Sequence, residues 1–171
     1  MEAVAVSVSI LALLVSAATA IRQLSLAKHT NSVPILVDLF REHRSNYLAE
    51  ARQTVYQKLP DMDLTKGLAG LPKPTRESVR DLMWFYDNLG VLVVHRIVDI
   101  RPVSGYLGGA ALLVWESVEP LVQAERAKRK DASEARDPGR WQHYFELLVE
   151  EIRRNPPAKS RRVLHLGRFG R

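Results

Sequence analysis

His43, His95 and a small set of carboxylates are the residues of this 171-residue chain best placed, inside apolar stretches, to do chemistry. His43 falls on one helical face with Leu36, Phe40 and Tyr47, and His95 follows the apolar run at residues 91–94. A metal-binding pair on one helix needs two ligands three or four residues apart with a carboxylate nearby, as in H-E-x-x-H. Neither histidine has another within that reach. A histidine at a helix edge is more commonly bonded to a carbonyl or carboxylate, and that structural role is the expectation for both. Asp38, Glu42, Asp87, Asp99, Glu116 and Glu119 include pairs at three- and four-residue spacing, a pattern shared with di-metal helical bundles. Those bundles also need Glu-x-x-His on two helices, which the core helices here lack. Solvated faces, or pairing with Arg41, Arg44, Arg80 and Arg96, are the expected fate of these acids.

Glu116 stands apart because it follows Trp115 in the middle of an apolar helix. Buried there, it needs a cation or a proton. A salt bridge to Arg80 or Arg96 is expected, and Glu116, His95 and Arg96 form the candidate buried polar pocket for a small ligand. Residues 105–109 (GYLGG) lack the Lys-Ser/Thr and the preceding strand of a phosphate loop, so close helix packing or an N-terminal turn accounts for them better. With no cysteine and no G-x-S-x-G, thiol chemistry and the hydrolase elbow are excluded. The sequence assigns no catalytic residue, no metal site and no cofactor.

The elements that would position these groups read as helices. Residues 3–21 (AVAVSVSILALLVSAATAI) carry no charge, and a helix of that length just spans a hydrocarbon core of about 30 Å. Its hydroxyls at Ser7, Ser9, Ser16 and Thr19 can bond back to the helix backbone. Ala18-Thr19-Ala20 has the small-x-small form of a signal-peptidase site, but Met1 and Glu2 supply no basic n-region. Arg22, Lys28 and His29 flank the other side, which places the C-terminal part in the cytoplasm. An anchor is therefore favoured over a cleaved leader. Asn31-Ser32 is expected to interrupt this helix, with Ser32 capping a new one that carries Pro34 in its first turn and a break at Ser45-Asn46. Residues 60–75 read as a loop ending at a Thr75 cap. Val79, Leu82, Met83, Tyr86, Leu89, Gly90 and Val93 keep helical spacing, and Trp84, Phe85, Val91, Leu92 and Val94 fill much of the other side, which suits a central helix. Ser104 is the expected cap of a long helix over residues 105–130 containing Pro120. Asp137-Pro138 should open a last helix with Trp141, Tyr144, Phe145, Leu148 and Ile152 inward. Asn155-Pro156-Pro157 stops it. No stretch alternates with period two between hairpin turns, so strands are not expected, and residues 91–100 read as a helix end plus a connecting turn.

This gives an all-α chain: a single N-terminal transmembrane helix, a four- to five-helix domain and a disordered basic tail, with boundaries at 1–30, 31–154 and 155–171. Three segments, VPILVDLFREHRS with ARQTVYQ, VRDLMWFYDNLGVLVVHRIVD, and LLVWESVEPLV, together resemble a bacterial family catalogued as a domain of unknown function, number 4760. Members of that family are short proteins with an N-terminal membrane helix and a helical domain. The resemblance implies that architecture and no activity.

Charge refines the picture. The chain is formally +6, yet from residue 153 onward there are seven basic residues and no acid, against 18 basic and 19 acidic residues before it. The excess is Arg153, Arg154, Lys159, Arg161, Arg162, Arg168 and Arg171, the expected contacts to anionic lipid or another polyanion. Nucleic acid is the less expected partner, because a tethered tail meets lipid first; a merely solvated end is the remaining alternative. Three functions follow: a protein-binding or scaffolding module at the inner membrane face, a membrane-tethered enzyme or small-ligand sensor with its pocket near Glu116 and His95, and nucleic-acid binding through the tail.

Overall fold

The structure, a computed structural model, describes residues 2–131 and 137–157, with backbone alone for 2–8, 24–32 and 138. Those residues are helical throughout their regular elements, and no strand occurs among them. Five α-helices follow one another: α1 (Glu2–His43), α2 (Asn46–Gln57), α3 (Lys73–Val94), α4 (Ile100–Asp131) and α5 (His143–Arg154), with 3₁₀ turns at Leu59–Asp61, Leu68–Gly70 and Pro138–Arg140. The chain divides into two compact units, Met1–Asp38 and Leu39–Arg171.

In the first unit the expected interruption at Asn31-Ser32 is absent: α1 is one helix with Pro34 inside it. Proline removes one backbone bond, and a long helix absorbs that loss when neither glycine nor a left-handed residue follows to turn the chain. Among the described residues no helix is long and apolar enough to cross a membrane. Side chains of the uncharged stretch are described only over residues 9–21, about 20 Å of helix axis. Residues 3–8 of the expected span have no described side chains.

The second unit is built around α3, which packs against α2 and α5 and meets the Leu68–Gly70 turn. Its helical register is the one the apolar spacing dictates, since Val79, Leu82, Met83, Tyr86, Leu89 and Gly90 are all buried. Trp84 departs from expectation: it is 59% exposed, because a helix bordered on one side by solvent cannot bury its whole circumference. The α1–α2 break falls at Ser45, whose hydroxyl accepts the Leu48 N–H at 3.3 Å.

Three expected caps are corrected. Thr75 is a buried residue inside the first turn of α3, and Pro72 holds the cap position with Pro74 just after it. Helix α4 starts four residues before Ser104, because the Asp99 carboxylate accepts the Arg101 N–H at 2.8 Å and starts the helix there; Ser104 is buried and donates instead to the Asn155 carbonyl at 2.6 Å. Asp137 and Pro138 open a 3₁₀ turn, and α5 begins only after Gln142, which is left-handed at φ 57°.

Candidate functional site

His43 closes α1 and is 8% exposed. Its Nε2 lies 3.1 Å from the hydroxyl of Tyr86 on α3, and Arg52 of α2 donates to the His43 carbonyl at 2.7 Å. Three helices therefore meet on one residue. Phe85 and Tyr86 flank the imidazole at 5.7 and 6.1 Å between ring centres, Phe145 of α5 stacks on Tyr86 at 4.9 Å, and Trp115 of α4 meets Phe145 edge-on at 5.0 Å. Burial pushes His43 down to about 4, and the nearby Arg52 charge adds to that shift. Burial holds the Tyr86 phenol above the ordinary tyrosine value. An imidazole this weakly basic, next to a tyrosine with no exposed surface, has neither the affinity for a proton at neutral pH nor the access to substrate that general-base catalysis requires. Its chemistry is structural. It ties the end of α1 to the aromatic core.

The other sequence-derived candidates do not converge. His95, Arg96 and Glu116, expected to share a buried polar pocket, are each exposed. His95 sits just past the end of α3 with its Nε2 3.2 Å from the Tyr144 hydroxyl, and Arg96 is left-handed at φ 57° in the turn that follows. Among the described residues no ion pair joins Glu116 to Arg80 or Arg96, and Arg80 pairs with its neighbour Asp81 at 2.9 Å. The reason is helical phase: Trp115 and Val118 take the inward positions of α4, and Glu116 is turned to solvent. Of the tail cations only Arg153 and Arg154 are described. Both are exposed, and Arg154 bonds to Glu150 and Glu151. Lys159, Arg161, Arg162, Arg168 and Arg171 lie outside the described residues. Among the described residues no group of three or more His, Asp or Glu could hold a metal ion.

Two arrangements escape sequence reading. Asp87, on α3, accepts the Phe145 N–H at 2.9 Å and also the Tyr144 N–H, so a carboxylate from another helix caps α5. Burial pushes the Asp87 carboxyl up, and those two N–H bonds pull it back. One turn later a Cβ at Gly90 would meet the Tyr144 carbonyl at 2.1 Å, so only glycine admits this close approach. The buried Glu125 of α4 likewise accepts the Leu68 N–H at 2.6 Å, against Gly67 at φ 63°, and so pins the loop before α3. A carboxylate followed by glycine three residues on, within an otherwise apolar run, was the signal available for Asp87.

No curated protein and no solved structure matches the chain. The family model described as a domain of unknown function, DUF4760, matches residues 6–155, from the second turn of α1 to the end of α5. The chain belongs to the DUF4760 family.

Proposed function

We propose that this chain is a single-pass protein of the cell inner membrane, anchored through residues 3–21 with its N-terminus outside, whose helical domain serves protein binding or scaffolding on the cytoplasmic side. The observation that carries the reading is the apolar surface of α1. Ile10, Leu11, Leu13, Leu14, Val15 and Ile21 are 55–69% exposed, on a stretch without a charge. Apolar side chains in that density belong in lipid rather than in water. The Thr19 hydroxyl donates to the Val15 carbonyl at 2.8 Å, the bond that makes a hydroxyl tolerable in hydrocarbon. Arg22 and Lys28 on the C-terminal flank set the orientation. The binding role is supported by buried His43 and Ser104, whose side chains bond across helices to Tyr86 and to the Asn155 carbonyl. The basic residues from Arg153 onward add attraction to anionic headgroups, about 1 kcal/mol for each that reaches the surface.

The test uses the absence of cysteine. Full-length chain is expected to stay in the membrane pellet after alkaline carbonate, whereas chain lacking residues 2–21 is expected in the supernatant. With single cysteines in intact cells, Glu2→Cys should react with a membrane-impermeant maleimide and Arg171→Cys only after lysis. Carbonate release of the full chain would remove the anchor, labelling of Arg171→Cys in intact cells would reverse the orientation, and a mature N-terminus at Ile21 would make the segment a leader.

A further inference from the structure

We propose that the turn between α3 and α4, residues 95–99, docks on an anionic lipid surface, with Ile97 entering the interface and Arg96 meeting the headgroups. The proposal rests on the anchor reading and adds a lipid contact made by the helical domain itself. Ile97 is 48% exposed, and the backbone holds it outward. Arg96 donates its N–H to the Val93 carbonyl at 2.9 Å, and Ile97 and Val98 both donate to the Leu92 carbonyl, at 2.9 and 3.1 Å. The next side chain, Val98, is 1% exposed, so it fastens the turn to the core while Ile97 faces away from it. Arg96 takes the left-handed position that ends α3, at φ 57°, where glycine is the residue of least cost. A cation stands there although the backbone disfavours any side chain.

Two features select lipid. The first is charge beside an apolar side chain. Arg96 is exposed and has no ion pair among the described residues, and the turn's one carboxylate, Asp99, is paired with Arg101. An exposed aliphatic residue next to a cation, with no unpaired carboxylate to repel an anionic surface, fits the boundary between headgroups and acyl chains. A nucleic acid would use the cation and leave Ile97 in water. The second feature is where the chain enters and leaves the domain. Phe40 packs on Tyr106 at 4.5 Å between ring centres, and the Asn155 carbonyl accepts the Ser104 hydroxyl at 2.6 Å. Tyr106 and Ser104 both lie in the first two turns of α4, directly after residues 95–99. Residues before Phe40 lead back to the uncharged stretch at 3–21, and residues after Asn155 carry Lys159, Arg161, Arg162, Arg168 and Arg171 without an acid. Both connections to lipid thus start from the end of the domain that presents Ile97.

The decisive experiment reconstitutes the full chain, which has no cysteine of its own, into vesicles containing brominated lipid. An environment-sensitive dye is placed on Ile97→Cys or on Asn88→Cys, which is exposed on α3. With phosphatidylglycerol present, the dye at 97 should be quenched and shifted to the blue, and the dye at 88 should not. In phosphatidylcholine alone the dye at 97 should fall to the level at 88. Removing one cation weakens attraction to an anionic surface about fivefold, so Arg96→Gly should lower the ratio of quenched to unquenched dye at 97 by that factor. The same change relieves the left-handed backbone and should raise the thermal midpoint, so a lost contact is not a lost fold; Arg96→Lys should keep the quenching. Equal quenching at 97 and 88 in a chain that floats with the vesicles would overturn the docking and leave the anchor standing. A full chain that stays in the aqueous phase would overturn both. A dye at 97 shielded in both kinds of vesicle, with no quenching by brominated lipid, would assign the turn to a second copy of the chain and overturn the proposal. Complete loss of quenching on deleting residues 158–171 would do the same by placing the contact in the tail.

Discussion

His43 and His95 make the same pair with different neighbours: each sets Nε2 against a tyrosine hydroxyl, at 3.1 Å to Tyr86 and 3.2 Å to Tyr144. The first pair is buried beneath α1, α2 and α3, the second lies at the surface where α3 ends beside α5. In water the hydroxyl and the ring nitrogen each have an alternative partner, so the exposed pair contributes little. Where water is excluded neither has one, and the bond becomes a condition of the fold. Distance alone does not tell a structural bond from an incidental one. Burial does.

The strongest way to break this comparison is to remove the rings. Tyr86→Ala takes away a fully buried side chain stacked on Phe145 and edge-on to Phe85, and a loss of about 3–5 kcal/mol is expected. Tyr144→Ala should cost less, about 1–2 kcal/mol, since its ring is only partly buried. Urea denaturation followed by tryptophan fluorescence measures both, with the buried Trp115 reporting on the same aromatic cluster. Equal losses would mean that burial is not the discriminating variable.

A second way is to charge the buried imidazole. In the unfolded chain His43 binds a proton near its ordinary 6.5, in the folded chain only near 4. The folded state therefore has its full stability above pH 6.5 and loses it progressively as pH falls towards 4, by at most roughly 3 kcal/mol. His43→Leu should flatten that part of the profile. Asp87, whose carboxyl burial pushes up, acts in the opposite sense, but it is present in both chains and cancels in their difference. Denaturation midpoints at pH 7 and pH 4.5 suffice; an unchanged slope in the leucine variant would place the acid sensitivity elsewhere.

Much of the scaffold was legible in the sequence because periodicity is a local signal. The spacing of Val79, Leu82, Tyr86 and Leu89 alone orients α3, and the break at Ser45 follows from a hydroxyl three residues before a free N–H. What was not legible arises between helices. The spacing put His43 on an apolar face but could not choose Tyr86 from the other helices as its partner. The cap of α5 sits on α3, 58 residues away in sequence at Asp87, so Asp137-Pro138 was the natural but mistaken choice. Glu116 was misplaced for a smaller reason: its neighbour Trp115 is buried, and a helix rotates about 100° between successive residues. The polar pocket expected from it fell with that rotation.

The finest test keeps every ring and deletes single hydroxyls. Tyr86→Phe leaves the His43 nitrogen facing an apolar edge in a buried site, and the cost of an unpaired buried group is about 1–3 kcal/mol. Tyr144→Phe frees the His95 nitrogen to bond with solvent, and a change within about 0.5 kcal/mol is expected. Because packing is nearly unchanged in both variants, the difference between them isolates desolvation from contact area. Restoring the balance at the buried site should then be possible from the other side. With Phe at 86, replacing His43 by Leu removes the orphaned nitrogen, so the double variant should be no less stable than Tyr86→Phe alone. A further loss in the double variant would show that the imidazole holds α1 through its ring contacts with Phe85 and Tyr86 rather than through the hydrogen bond.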